Sequence, residues 1–140
     1  MKKIIIWFIT GAVVIGLGLI ILSYLTNPLR RPEGQIREDI LEITPIGTSM
    51  EDVIKIIENN KKWEAPRIFN ECGVSYADLG WPSKPDDLAL GKITVIGEKS
   101  IRTIIGRYQA FFQVLVDVHW AFDENAKLID IFIQKDSISL

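Results

Sequence analysis

The sequence predicts an α+β protein: an N-terminal transmembrane helix, then a small two-layer domain with a helix packed on a three- or four-stranded antiparallel sheet. Three observations carry this. An uncharged run, IIIWFITGAVVIGLGLIILSYL, fills Ile4–Leu25. The segment TSMEDVIKIIENNK repeats its apolar residues at helical spacing. Finally, FQVLVDVHWAF and KLIDIFIQ alternate in polarity on either side of a polar DENA.

As a helix rising about 1.5 Å per residue, the first run reaches about 33 Å, the thickness of a bilayer's hydrocarbon core. Trp7 and Tyr24 fall near its two ends, at the expected headgroup level. The apolar run is longer than that of a signal peptide, and Leu22–Leu25 offers no small-x-small cleavage site. Lys2 and Lys3 precede it while Arg30, Arg31 and Arg37 follow. The short basic leader favours an inside N-terminus, and so a single-pass cell-membrane protein with its domain on the extracytoplasmic side. The expected organisation is an anchor over 1–25, a linker over 26–36 holding Pro28, Pro32 and Gly34, and an α+β domain over 37–140.

Lys and Arg number 16 against 18 Asp and Glu, a net charge of −2. These charges are interspersed, so the basic face that nucleic acid requires is missing. One cysteine, Cys72, excludes an intramolecular disulfide framework. The domain must be held by its core.

In the helical segment, Thr48 is the expected cap, with Glu51 completing a capping box. Met50, Val53, Ile54 and Ile57 form its apolar face, and Asn59–Asn60 its exit. In the hairpin, Val114, Val116, Val118, Trp120 and Phe122 share one side, as do Ile129, Ile131 and Ile133. Closing the loop at Asp123–Ala126 opposes Phe122 to Lys127, Trp120 to Ile129 and Val118 to Ile131. That register sets His119 opposite Asp130 on the polar face, with Asn125 carrying any left-handed turn residue. A further strand is expected over Ile101–Tyr108, and a shorter one in GKITVIG. The stretch 61–90, rich in Pro, Gly and Trp, is long for a connection and suggests short elements or a binding role. Ser83–Asp86 is a candidate helical turn within it.

The chemistry-bearing residues are few. His119 is the only histidine, and a Cys72–His119 dyad is conceivable. No nucleophile-elbow pattern surrounds any serine, and no metal-ligand spacing or phosphate-binding glycine loop occurs. A cross-strand His–Asp pair on a solvated or partner-facing surface accounts for His119 without catalysis.

The order "PIGTSMEDVIKII" followed by "VDVHWAFDENAKLIDIFI" resembles the small cell-envelope modules of the SmpA/OmlA (BamE) outer-membrane assembly lipoproteins and their relatives with a β-lactamase-inhibitor-protein-like fold. The likeness covers Ile46–Glu58 and Val114–Ile133. It implies a helical part packed on a three- or four-stranded antiparallel sheet and a general role in envelope binding. No lipidated cysteine stands near the N-terminus, and no functional residue carries over.

The expected function is that of a membrane-anchored, non-enzymatic envelope protein whose domain binds a protein or envelope component. Its partners would be the membrane, through Ile4–Leu25, and an envelope protein, with no nucleic acid, metal or small-molecule cofactor. The candidate binding residues are Trp63, Trp81, Lys84, His119 and Asp130. The alternatives are an inhibitor or immunity-type protein of related fold, or a cysteine hydrolase using Cys72 and His119.

Overall fold

The computed structural model describes residues 2–81 and 93–138, with the backbone alone at 2–6, 8–10 and 23. The chain divides into two units, Met1–Arg31 and Pro32–Leu140. In the first, helix α1 spans Lys2–Thr26. Asn27 ends the unit's regular helix and caps a short 3-10 turn, Pro28–Arg30, by accepting the Leu29 N–H at 3.0 Å. The Arg30 guanidinium lies 3.2 Å from the centroid of the Tyr24 ring.

The expected transmembrane helix is corrected here. Among the described residues no helix is long and apolar enough to cross a membrane.

The second unit is an α+β domain. Helix α2, Glu33–Ile43, follows Pro32 and carries an acid in its first turn. Its residues 33–36 lie in the stretch that the sequence reading assigned to the linker. Ile36 and Ile40, four apart, form its buried stripe. Helix α3, Met50–Asn59, starts one residue later than expected. Ser49, not Thr48, is the cap: its hydroxyl accepts the Asp52 N–H at 3.2 Å and donates to the Asp52 carboxylate at 2.6 Å. Asp52 thus replaces Glu51 in the reciprocal arrangement, and Thr48 instead donates to the Pro45 carbonyl.

Among the described residues six strands follow: β1 (Arg67–Phe69), β2 (Val74–Ser75), β3 (Val95–Ile96), β4 (Lys99–Gln109), β5 (Gln113–Phe122) and β6 (Leu128–Ile138). Four of them make an antiparallel sheet in the order β1-β4-β5-β6, and β2 and β3 pair separately. Ile36, Ile40, Met50, Val53 and Ile57 from the helices are buried with Ile101, Val116, Val118, Trp120, Phe122, Ile131 and Ile133 from the sheet. Each such side chain contributes about 1.5–3 kcal/mol when fully removed from water. Trp120, at the centre, keeps its indole N–H satisfied by Thr44 Oγ1 at 3.0 Å, and that hydroxyl donates to the Ile40 carbonyl.

The expected hairpin register is overturned by two displacements of one residue each. Asp123 N–H reaches Lys127 O at 2.9 Å and Ala126 N–H reaches Asp123 O at 3.0 Å, leaving a three-residue loop, Glu124–Ala126. Ala126, not Asn125, takes the left-handed conformation, with φ 58°. A bulge then places Phe122 opposite Leu128 but Ala121 opposite Asp130, and Ile129 is the extra, exposed residue. The sum is a slip of two. Trp120 faces Ile131, Val118 faces Ile133, and His119 faces Phe132.

The two-layer expectation also needs correction, because the second face of the sheet is covered. Val74 and Leu79 pack with Ala121 and Phe132 in a second apolar cluster, edged by Ile96. Ser100 Oγ ties the start of this cover down by donating to Cys72 O at 2.8 Å. At Gly73 a Cβ would overlap the carbonyl oxygens of Ile96 and Gly97, so the cover closes only over glycine.

Candidate functional site

The register places Arg102 of β4 beside His119 of β5, and His119 beside Phe132 of β6. On the same face, Asp117 lies opposite Gln134 and Leu115 opposite Asp136. This is the polar face that the sequence identified. Its His119 is 4% exposed and its Asp117 1% exposed.

These side chains form one connected network. Arg102 Nη2 donates to Asp117 Oδ2 at 2.8 Å and lies 3.9 Å from Asp136 Oδ2. Gln134 gives its amide N–H to Asp136 Oδ1 at 3.0 Å, which turns its oxygen to His119 Nε2 at 3.1 Å. Nε2 is therefore the donor of that bond. Burial holds the His119 pKa below its ordinary value, and the nearby Arg102 charge acts in the same direction. Asp117 Oδ1 is buried with no hydrogen-bond partner among the described residues.

Arg102 separates two small spaces. A cavity of about 130 Å³ is bounded by Phe69, Cys72, Val74, Asp78, Ser100 and His119. A second, of about 230 Å³, is bounded by Glu64, Arg67, Thr103, Asp117 and Asp136. Cys72 and His119 thus line a common cavity, but they do not form the dyad considered from the sequence. The thiol is 3.4 Å from the Gly73 carbonyl, and the imidazole Nε2 is engaged by Gln134. Among the described residues no group of three or more His, Cys, Asp and Glu side chains is placed to hold a metal ion.

The expected His119–Asp130 pair is separated. Asp130 receives Arg37 Nη2 at 2.6 Å, while Arg37 Nε donates to the Ile131 carbonyl at 2.9 Å. Trp63 is half-buried on the helix side, its ring centroid 6.2 Å from that of Trp120, so it closes the main core. Lys84 and the Ser83–Asp86 turn lie outside the described residues.

Trp81 behaves differently. It is 44% exposed, yet held edge-on by Tyr76 at 5.5 Å and Phe132 at 5.8 Å. It borders an open cleft of about 340 Å³ that also includes Glu33, Arg37, Asp130 and Ile133. Of the five sequence candidates, Trp81 and Asp130 therefore meet at one cleft. Arg37 and Glu33 were missed because α2 was read as linker and domain edge. The Ile36–Ile40 spacing, with Arg37 beside it, was the available signal. Arg102 and Asp117 were missed because their meeting depends on the β4–β5 register. No family model matches the chain, and neither a search of curated proteins nor one of solved structures finds a match.

Proposed function

We propose that the domain is a non-enzymatic binding module of the cell envelope. In this reading it associates with a membrane through Ile4–Leu25 and receives a protein partner at the cleft between α2 and Trp81. One observation carries the protein-binding part: Trp81 is exposed but immobilised between two edge-on rings. An aromatic presented in this way contributes contact area with little ordering left to lose on binding. Glu33, Arg37 and Asp130 give the cleft a charged rim around apolar Ile133 and Phe132. Membrane association is supported by the exposed apolar side chains of α1, among them Val14, Leu19, Ile20 and Leu25. The envelope setting draws on the resemblance to envelope modules.

The test is photocrosslinking in cells from a benzophenone side chain at position 81. A discrete protein adduct is expected, weakened by Arg37→Glu at the cleft rim and unchanged by a substitution at exposed Asn125. Absence of any adduct at 81, with full expression of folded protein, refutes the cleft reading. Identification of the adduct as an enzyme inhibited by the domain would establish the inhibitor alternative. The hydrolase alternative predicts that Cys72 reacts with iodoacetamide faster than a model thiol and that His119→Gln removes the excess.

A further inference from the structure

The two ends of β5 are built from opposite chemistry. At one end the turn reads Asp-Glu-Asn-Ala-Lys, residues 123–127, as a water-facing hairpin turn should. At the other, β4 and β5 join through Ala110, Phe111 and Phe112, with Gln109 opposite Gln113. No glycine, proline, asparagine or aspartate helps this turn, and the stretch from Tyr108 to Val116 carries no charge. Phe111 is 97% exposed and Phe112 52% exposed, their ring centroids 6.3 Å apart. Ile138, opposite Gln113, adds an exposed apolar side chain at the same end. Isolated exposed apolar residues are ordinary. Two adjacent phenyl rings at the tip of a rigid hairpin, where turn chemistry calls for small polar residues, are not.

The position of this tip within the domain points to its partner. Arg37 of α2 bonds the Ile131 carbonyl, and Glu33, one turn earlier, acts on the Lys135 ammonium. The start of α2 therefore lies toward the end of β6 that adjoins the phenylalanine tip. The chain enters the domain at Pro32, directly after a unit whose described side chains are mostly apolar and exposed. Lys135, over the Tyr108 ring at 5.7 Å, and Arg107 set the nearest positive charges behind the tip rather than on it. Rings foremost with cations behind them match the layering of a bilayer interface, where aromatic groups reach the acyl boundary and ammonium or guanidinium groups stay among phosphates.

We infer that Phe111 and Phe112 insert into the headgroup–acyl boundary of a lipid bilayer and fix the domain's orientation on it. This rests on the membrane association proposed above. The test uses the full chain, with Cys72→Ser, reconstituted in phosphatidylcholine vesicles containing doxyl-labelled lipid. A bimane fluorophore is attached singly at Ala110→Cys, at Asn125→Cys in the opposite turn, and at Leu19→Cys in α1. The expected result is doxyl quenching and loss of iodide quenching at positions 110 and 19, with the reverse at 125. Phe111→Ser with Phe112→Ser should restore iodide access at 110 alone. Quenching by doxyl at 19 but not at 110 overturns the tip inference and leaves membrane association standing. Aqueous behaviour at both positions overturns both. Protection from iodide at 110 without doxyl quenching means that protein, a second copy included, covers the tip, and lipid insertion is refuted.

Discussion

Ala126 offers the most direct test of the hairpin geometry. It stands at φ 58° in a loop closed by Asp123 and Lys127, and its carbonyl accepts the Met50 N–H at 2.9 Å, so α3 holds it there. A left-handed conformation costs a Cβ-bearing residue about 1–2 kcal/mol. Replacement by glycine removes that strain but adds about 0.5–1 kcal/mol of unfolded-chain entropy. The Ala126→Gly domain should therefore be more stable by about 0.5–1 kcal/mol, the difference between the two effects. With a urea slope of about 1.5 kcal/mol/M this moves the midpoint up by about 0.3–0.7 M, at unchanged slope. The assay is urea unfolding followed by near-ultraviolet circular dichroism, which reports the packing of buried Trp120. Asn125→Gly is the counter-test, since Asn125 is not among the positive-φ residues and glycine there brings only the entropic loss. A lowered midpoint for Ala126→Gly, or a raised one for Asn125→Gly, would refute the loop geometry described here.

Three further outcomes follow from the covered face. Because the folded-state pKa of His119 lies below its unfolded value of 6.5, the unfolded chain binds the extra proton. The stability this gives is present above pH 6.5 and lost as pH falls through that value toward the folded pKa, so His119→Gln should flatten the pH dependence of the urea midpoint below pH 6.5. Arg102→Ala strands the buried Asp117 carboxylate and should cost about 3–5 kcal/mol, with Asp117→Asn in the same chain recovering part of it by removing the charge; additive losses in the double variant would show that the pair is not coupled. Gly73→Ala drives a methyl into two backbone carbonyls, which cannot give as a flexible side chain can. It should destabilise by at least about 2 kcal/mol and expose Trp81 further to acrylamide.

How much of this was legible can be judged residue by residue. Alternation in FQVLVDVHWAF correctly assigned Val116, Val118, Trp120 and Phe122 to one buried face, because burial of a sheet face repeats every two residues whatever the register. Helical spacing likewise found Met50, Val53 and Ile57. Register itself was out of reach. It depends on Ala126 adopting an unfavoured conformation and on a bulge at Ile129; beyond the bulge the slip of two preserves every face, so the exchange shows only at buried Leu128 and exposed Ile129. Helix α2 was hidden by Pro32 and Gly34, which read as breakers although proline at a helix start is favourable. The cover over His119 comes from residues 72–81, where strand β2, like its partner β3 at Val95–Ile96, is too brief to show a period.

That slip of two decides more than geometry. In the expected register His119 would have faced Asp130 on a solvated or partner-facing surface. In the observed one the two residues belong to different parts of the molecule. Asp130 moves to the edge of β6, where it anchors Arg37 and helps to build the cleft with Trp81. His119 moves under the 72–81 segment, bonded to Gln134, within a network that sets the Arg102 guanidinium against the carboxylates of Asp117 and Asp136. The cover itself is tied to the sheet by the Ser100 hydroxyl, which donates to the Cys72 carbonyl. Trp81 belongs to that cover and packs edge-on against Phe132, the residue opposite His119. In the proposed reading, the polar face bears on partner binding only through Phe132, which lies opposite His119 and packs edge-on against the tryptophan that the partner would meet.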